Sequence, residues 1–209
     1  HVSEVIAARG IDGILQFEMS VFNPVRPMLA DRVKSEEDAI NKFQGEFAAE
    51  YKLDGERAQI HKKGNEIIIF SRSLEQITQY YPDIVEKIPK ILICDDCILE
   101  AEVVAINEST GDFLPFQELM HRRRKYKIEQ AVSDYPISVN FFDVLYFDRK
   151  KTIDLPYLER REILLKIIKE SKFAKVIPMS IVKNESDVLE VLENSINSGC
   201  EGLMLKMLH

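Results

Sequence analysis

The ten residues CILEAEVVAI, at positions 97 to 106, constrain the fold of this chain more than any other stretch. Successive side chains of a strand point to opposite faces, and apolar residues occupy most positions of both faces here. We therefore predict a strand covered on both sides, within a sheet flanked by helices. Glu100 and Glu102 share one face of it, and buried carboxylates need a cation or a metal ion as partner.

The other segments predict short strands joined by turns, with helices between them, which is typical of an α+β fold of mainly antiparallel sheets flanked by helices. Residues 23–30 carry two prolines and are interpreted as an extended linker. The further predicted strands are 47–53, 56–62, 66–72, 137–148 and 201–207, and the predicted helices are 35–43, 81–89, 115–125, 156–170 and 185–199.

Composition and charge argue against a membrane protein and against a strongly basic nucleic-acid-binding protein. Apolar runs such as IIIF (67–70) are too short to cross a membrane, so we expect no membrane partner and a cytoplasmic protein, or a nuclear one in a eukaryote. The net charge of -7 argues against strong overall attraction to nucleic acid. The basic run HRRRKYK (121–127) is interpreted as a solvated helix end. Cys94 and Cys97 have the spacing of half a zinc site but are interpreted as metal-free thiols of a reducing compartment.

The stretch EYKLDGERAQIH (50–61) carries the first candidate for chemistry. Lys52 and Asp54 are two apart in a predicted strand and therefore share a face, and Arg57 follows a flexible Gly55. A free lysine has a pKa of about 10.4, so only roughly one in 2,500 is neutral and nucleophilic at pH 7. Arg57 or a bound divalent cation would favour the neutral form, whereas Asp54 would oppose it. A surface salt bridge is the alternative.

The strand that contains Glu100 and Glu102 leaves two readings equally open, an ion pair with Lys52 or a Mg²⁺ ion that arrives with phosphates. Near the end of the chain, Glu201 and Gly202 open the last strand, where a glycine lets the backbone approach a ligand closely.

Either Phe141 or Phe142, on strand 137–148, could offer a stacking surface to a base. Lys206 is five residues after Glu201, so on a regular strand the two point to opposite faces. They can serve one site only if that strand twists or bulges.

Taken together, these segments resemble the adenylation (nucleotidyltransferase) domain of an ATP-dependent DNA ligase of the archaeal and eukaryotic replicative type. VRPMLA (25–30) is similar to the lead-in that follows the DNA-binding domain of those ligases. The resemblance implies their nucleotidyltransferase (ATP-grasp-like) fold. Five motifs in the family's order carry it: KLDGER (52–57), FSR (70–72), ILEAEVVA (98–105), FFDVLYFD (141–148) and EGLMLK (201–206).

The resemblance also implies a role for each matching residue. Lys52 would attack the α-phosphate of ATP and carry AMP as a phosphoramidate, which a DNA 5′-phosphate then takes up before a 3′-hydroxyl seals the nick. The resemblance implies that Glu50 recognises adenine and that Phe142 stacks on it, while Arg57 and Arg72 hold the ribose and phosphates. Glu102 and Glu201 would contact the ribose or bind Mg²⁺, with Glu100 in a supporting role. Asp54 and Gly55 belong to the nucleophile motif, and Lys206 is a further candidate ligand of the nucleotide.

Departures from the family pattern set further expectations. Residues 1–22 would be a remnant of the DNA-binding domain with its linker. Residues 23–209 would be an adenylation domain that lacks the W-L-K-L-K type segment, which the family counts as its fifth motif, and the OB-fold domain. We expect such a piece to bind nucleotide, to adenylate itself weakly and not to seal nicks unaided. In the complete enzyme the partners would be nicked double-stranded DNA and a sliding clamp, with a monomeric protein serving replication, repair, recombination and cell division.

Two other classes stay open at this point. RNA ligases and mRNA-capping guanylyltransferases also use the K-x-D-G motif, although the long match around Lys52 favours a DNA ligase. A non-catalytic domain that only binds nucleic acid or a partner protein is the second. The retained Lys52, Glu102 and Glu201 argue against it, because a domain without catalytic activity would lose such energetically costly buried charged residues first.

Overall fold

The computed structural model describes residues 19–124 and 128–209, and the described residues form the predicted α+β fold. The helices are α1 (Glu36–Phe43), α2 (Pro82–Ile91), α3 (Phe116–Arg124), α4 (Ile128–Asp134), α5 (Tyr157–Ile167) and α6 (Glu185–Asn197). The strands are β1 (Phe47–Lys52), β2 (Glu56–Lys63), β3 (Glu66–Ser71), β4 (Asp96–Ala105), β5 (Ile137–Phe147), β6 (Lys150–Lys151), β7 (Ala174–Val176), β8 (Met179–Val182) and β9 (Gly202–Met207).

The strands form two sheets. The smaller has the order β8-β1-β9 and is antiparallel throughout. The larger has the order β3-β2-β4-β5-β6, also antiparallel, with β7 added parallel to β5. The prediction of mainly antiparallel sheets is therefore confirmed.

Strand β4 is the centre of the larger sheet and is covered on both sides, as its sequence predicts. Leu99, Ala101 and Val103 are fully buried in the main core, which α2, α3 and α5 close from one side. The opposite face presents Glu100 and Glu102. One face of β4 therefore builds the core while the other builds a polar site.

Local sequence explains the helix ends. Ser35 caps α1 by accepting from the backbone N–H of Asp38, and Asn184 caps α6 in the same way through Asp187. Gly199, with φ +80°, ends the last helix in the left-handed conformation that favours glycine.

Some predicted boundaries are wrong. Lys52 is the last residue of β1, so Asp54 lies in the connection to β2 rather than on a shared strand face. The fifth helix ends at Ile167 instead of 170, because Ile168 turns to extended backbone and bridges Leu92. Strands β7 and β8 and helix α4 are too short for their patterns to have stood out from loops.

The basic run at the end of α3 is not simply a solvated helix end. Arg122 is 2% exposed and donates to Asp83 at 2.5 Å and to the carbonyls of Tyr80 and Tyr135, each at 3.1 Å. Arg123 pairs with Glu56 at 2.7 Å. Two cations of the basic run therefore hold the fold together.

Two predictions fall partly on residues that the structure does not describe. The remnant domain at 1–22 lies outside the described residues except for its last four positions, and residues 125–127 of the basic run also lie outside them. Among the described residues, no helix has the length and apolar character needed to cross a membrane.

Candidate active site

Lys52 lies where the two sheets meet, at the end of β1 and opposite Gly202 of β9. Its ammonium contacts the carboxylate of Glu201, and the side chains of both residues are nearly half exposed. The backbone N–H of Glu201 also donates to the carbonyl oxygen of Lys52 at 2.7 Å. The predicted nucleophile is thus reachable from solvent and held beside a carboxylate.

Glu50, two residues earlier on β1, is almost completely buried, with 1% exposure. Its carboxylate contacts Lys206 Nζ at 2.6 Å, accepts from the Tyr157 hydroxyl at 2.6 Å, and lies 3.4 Å from a guanidinium nitrogen of Arg161. Burial, with Glu50 as a further cause, raises the pKa of Tyr157 well above its ordinary value. Two cations and a hydroxyl group therefore hold this buried carboxylate in place.

Glu201 and Lys206 reach the same site despite their spacing of five residues. Glu201 lies before the first residue of β9, so the alternation of a regular strand does not relate the two side chains. Gly202 begins the strand with φ +150°, which other residues rarely adopt. The irregularity that the sequence required for a shared site is therefore present.

A β-bulge decides which phenylalanine of β5 faces the site. Ala101 of β4 pairs with Phe141 while Glu100 pairs with Asp143, so Phe142 is the extra residue of the bulge. Phe141 is fully buried in the core. The Phe142 ring is partly exposed, with Lys206 Nζ 5.2 Å and the Arg57 guanidinium carbon 5.4 Å from its centre.

Gly55 is required by its contact with β4. Its φ is not in the left-handed region, so backbone conformation alone does not demand a glycine there. A methyl group there would overlap the carbonyl oxygen of Val103 and come to 3.0 Å from Cγ of Glu102. The glycine allows the connection between β1 and β2 (residues 53–55) to lie directly against β4, the strand that carries Glu100 and Glu102.

Glu102 is the carboxylate of the site that lacks a direct partner. Among residues 19–124 and 128–209, no hydrogen bond or ion pair to its side-chain oxygens is formed. Burial raises the pKa of Glu102 to about 7, although Arg57 and Lys52 act in the opposite direction. A cation brought by a ligand would favour its ionised form.

Asp54 has a structural contact instead of a contact with the nucleophile. Its carboxylate accepts from the backbone N–H of Phe116 at 3.1 Å, at the first residue of α3. This hydrogen bond joins the start of α3 to the connection between β1 and β2. A role of Asp54 toward Lys52 or a metal stays a prediction.

Arg57 and Glu100 form an ion pair at the edge of the site, with Nε 2.9 Å from a Glu100 oxygen. Arg72 is exposed and lines the cleft next to this pair. Gln59, Tyr157 and Arg161 also hold site carboxylates, and the sequence reasoning missed them. The sequence indicated such partners only in general terms, because buried glutamates need hydrogen-bond donors or cations.

The described residues build no metal site of their own, since no group of three or more His, Cys, Asp or Glu side chains there could hold an ion. Mg²⁺ usually binds through one or two carboxylates together with the phosphates of a substrate. Glu102 fits such a role. Cys94 and Cys97 lie elsewhere as free thiols, with their sulfur atoms 3.2 Å apart.

The geometry joins a lysine, several further cations, an aromatic face and a partnerless carboxylate, a combination suited to a nucleotide with its metal. Comparison with known proteins supports this interpretation. A family model described as "ATP dependent DNA ligase domain" matches residues 27–209. The curated "DNA ligase" of Nitrosopumilus maritimus is 62% identical over 207 residues, which are 99% of this chain and 35% of that protein.

Solved structures give the same fold. The "mycobacterial DNA ligase D complexed with ATP and MES" has a TM-score of 0.63 and 21% identity over 90% of this chain and 55% of that one. An "Archaeal ATP-dependent RNA ligase" has a TM-score of 0.54 and 16% identity over 90% of this chain and 45% of the other. At these identities the likeness concerns the fold alone. The chain spans about a third of the length of the curated relative that it matches.

Proposed function

Because the chain belongs to the ATP-dependent DNA ligase domain family, we propose that it is the adenylation domain of a DNA ligase. The structure has the nucleotidyltransferase fold that the sequence predicted, which solved ligase structures share. The observation that carries the proposal is the meeting of Lys52, Glu102 and Glu201 at the junction of two sheets, with the Phe142 ring facing Lys206 and Arg57.

The proposed reaction begins with the Lys52 amine attacking the α-phosphate of ATP. A bond forms between Nζ and phosphorus, the bond to the β-phosphate oxygen breaks, and pyrophosphate leaves with its electron pair. The ammonium must lose one proton before the attack and the nitrogen loses a second once it is bonded to phosphorus; the Glu201 carboxylate, which contacts Nζ in the free chain, is placed to accept the first. The side chain is nearly half exposed, which leaves it accessible to the nucleotide.

Binding and orientation follow from the other side chains. Phe142 would stack on the adenine, and the Glu50 carboxylate, fixed by Tyr157 and Lys206, would accept from its exocyclic amine. Arg57 would grip ribose or phosphate oxygens, since among the described residues it uses Nε for Glu100 and makes only a 3.5 Å contact through one terminal nitrogen. Arg72 is near enough to the same cleft to assist.

Glu102 is the proposed ligand of Mg²⁺, with Glu201 as a second candidate once it leaves Lys52. Bound there with the phosphates, the ion would neutralise charge that develops on them. The raised pKa of Glu102 fits this role, because a group held partly protonated by burial is ionised when a cation arrives.

Later steps belong to the complete protein. The AMP would pass to the 5′-phosphate of nicked double-stranded DNA, and a 3′-hydroxyl would displace it. We propose a cytoplasmic location, where such DNA is found, whereas a sliding clamp, a monomeric state and the domain limits 1–22 and 23–209 stay predictions.

The deciding experiment incubates the chain with α-labelled ATP and Mg²⁺, followed by denaturing electrophoresis. We expect label that is acid-labile and absent in Lys52→Arg, which keeps a positive charge that cannot be removed. Label in that variant, or none in the wild type even when the chain is extended through a lysine-bearing segment, would contradict the proposal. Competition with GTP, and nicked duplexes with RNA or DNA strands, separate it from a capping enzyme or an RNA ligase.

A further inference from the structure

Residues 20–28, called here the leading segment, lie on the larger sheet and are held there by two polar side chains of β2. The backbone N–H of Phe22 donates to Nδ1 of His61 at 2.8 Å. The backbone of Val25 exchanges two hydrogen bonds with the Gln59 amide, its N–H donating at 2.8 Å and its carbonyl accepting at 3.0 Å. Gln59 thus pairs with the leading segment as a neighbouring strand would.

The Gln59 amide is fully used in these contacts. Its Oε1 also lies 2.9 Å from Nε2 of His61, and its Nε2 also donates to Glu100 at 2.8 Å. Burial lowers the pKa of His61 to about 4, so the ring is neutral near pH 7, with Nε2 donating and Nδ1 accepting from Phe22. Gln59, His61 and Glu100 are each 3% exposed or less, so no solvent replaces a lost partner.

Glu100 connects Gln59 to the proposed nucleotide site through hydrogen bonds. One of its oxygens accepts from Gln59 and the other accepts from Nε of Arg57 at 2.9 Å. The carboxylate is 3% exposed and the Arg57 side chain 25% exposed, so the pair runs from the interior to the cleft. The leading segment touches Arg57 directly as well, through the carbonyl oxygen of Met28 at 3.5 Å.

We propose that Gln59 and Glu100 are positioning residues, through which docking of the leading segment on β2 sets the orientation of the Arg57 guanidinium. The chain of contacts is continuous from the Val25 backbone to Nε of Arg57, and it contains no group that faces the ligand except Arg57. The inference rests on the proposed function for what Arg57 grips. The docking and its effect on the guanidinium can be measured without any reaction.

Val25→Pro tests the docking from outside the nucleotide site. The substitution removes the N–H that donates to Gln59, whereas the matched control Val25→Ala keeps that N–H. Gln59→Met is the second variant and removes the amide itself. The readout is the ¹⁵N-resolved Nε–H signal of Arg57, whose exchange with water is slow only while Glu100 accepts from it.

We expect Val25→Pro and Gln59→Met to speed exchange of that signal by about tenfold, as loss of order 1.4 kcal/mol of hydrogen-bond support implies, and Val25→Ala to leave it unchanged. An unchanged Arg57 signal in both disrupting variants would overturn the inference, whatever the activity of the chain.

A double-mutant cycle separates positioning from general stability. Val25→Pro should slow labelling of Lys52 by about tenfold in the wild type and have no further effect in an Arg57→Ala background, because the coupling acts only through that guanidinium. Equal slowing in both backgrounds would overturn the inference. Absence of label both in the wild type and in the chain extended through a lysine-bearing segment would instead contradict the proposed function, and the exchange measurement would then decide the positioning role alone.

Discussion

Lys52 and Glu201 are joined twice, once through their side chains and once through the backbone hydrogen bond from the Glu201 N–H to the Lys52 carbonyl oxygen at 2.7 Å. The backbone bond brings the end of β1 and the start of β9 together independently of charge. The side-chain contact can therefore be removed while the two residues stay beside each other.

Glu201→Gln should slow lysyl-AMP formation by at least about tenfold, through loss of a proton acceptor and candidate metal ligand. Stability should change by no more than about 1 kcal/mol, because both side chains are exposed to water. Labelling rates and urea unfolding measure the two effects. Glu86→Gln breaks the more exposed pair with Lys90 and should change neither. A large loss of stability in Glu201→Gln with normal labelling would refute this assignment.

Gly55→Ala should destabilise the chain by about 1–3 kcal/mol, because the new methyl group overlaps the Val103 carbonyl. Labelling should fall as well, since relief of the overlap moves Glu102 or Lys52. Gly64→Ala is the control: its φ of +57° costs about 1 kcal/mol of backbone strain, but nothing lies within 4 Å of the added atom. Full labelling by a folded Gly55→Ala variant would show that the close approach is not needed for the site.

Glu102 should make the stability of the free chain depend on pH. Its pKa is raised from the ordinary 4.5 to about 7, so between those values the folded state keeps a proton that the unfolded state has lost. Stability therefore falls as pH rises through this window, by about 3 kcal/mol at most, and levels off above pH 7. Urea unfolding of the wild type and Glu102→Gln across this range measures the difference, and parallel pH curves would contradict the assignment.

Arg122→Met should cost about 3–5 kcal/mol of stability, because it leaves Asp83 buried without its cation. The double variant Arg122→Met with Asp83→Leu should recover a large part of that loss, since it removes the stranded charge. Chemical denaturation gives both values. If Arg122→Met were as stable as the wild type, the basic run would have to be assigned to a surface function after all.

The sequence alone predicted the two-sided burial of β4, the mainly antiparallel sheets and most helix starts. Each of these follows from local rules: alternation along a strand, capping by the serine before α1, and the glycine that ends α6. Membership of the DNA ligase family was likewise predicted from five short motifs and is confirmed.

Tertiary structure decided how those residues meet. That Phe142 rather than Phe141 faces the site depends on a bulge, which inserts one residue against a partner strand about 40 positions away. That Gly55 is required by the Val103 carbonyl, and that Arg122 is buried beside Asp83, depend on contacts between elements distant in sequence. Local patterns fix which face a side chain takes and where an element begins, but only packing of the complete chain selects the partner on the other side.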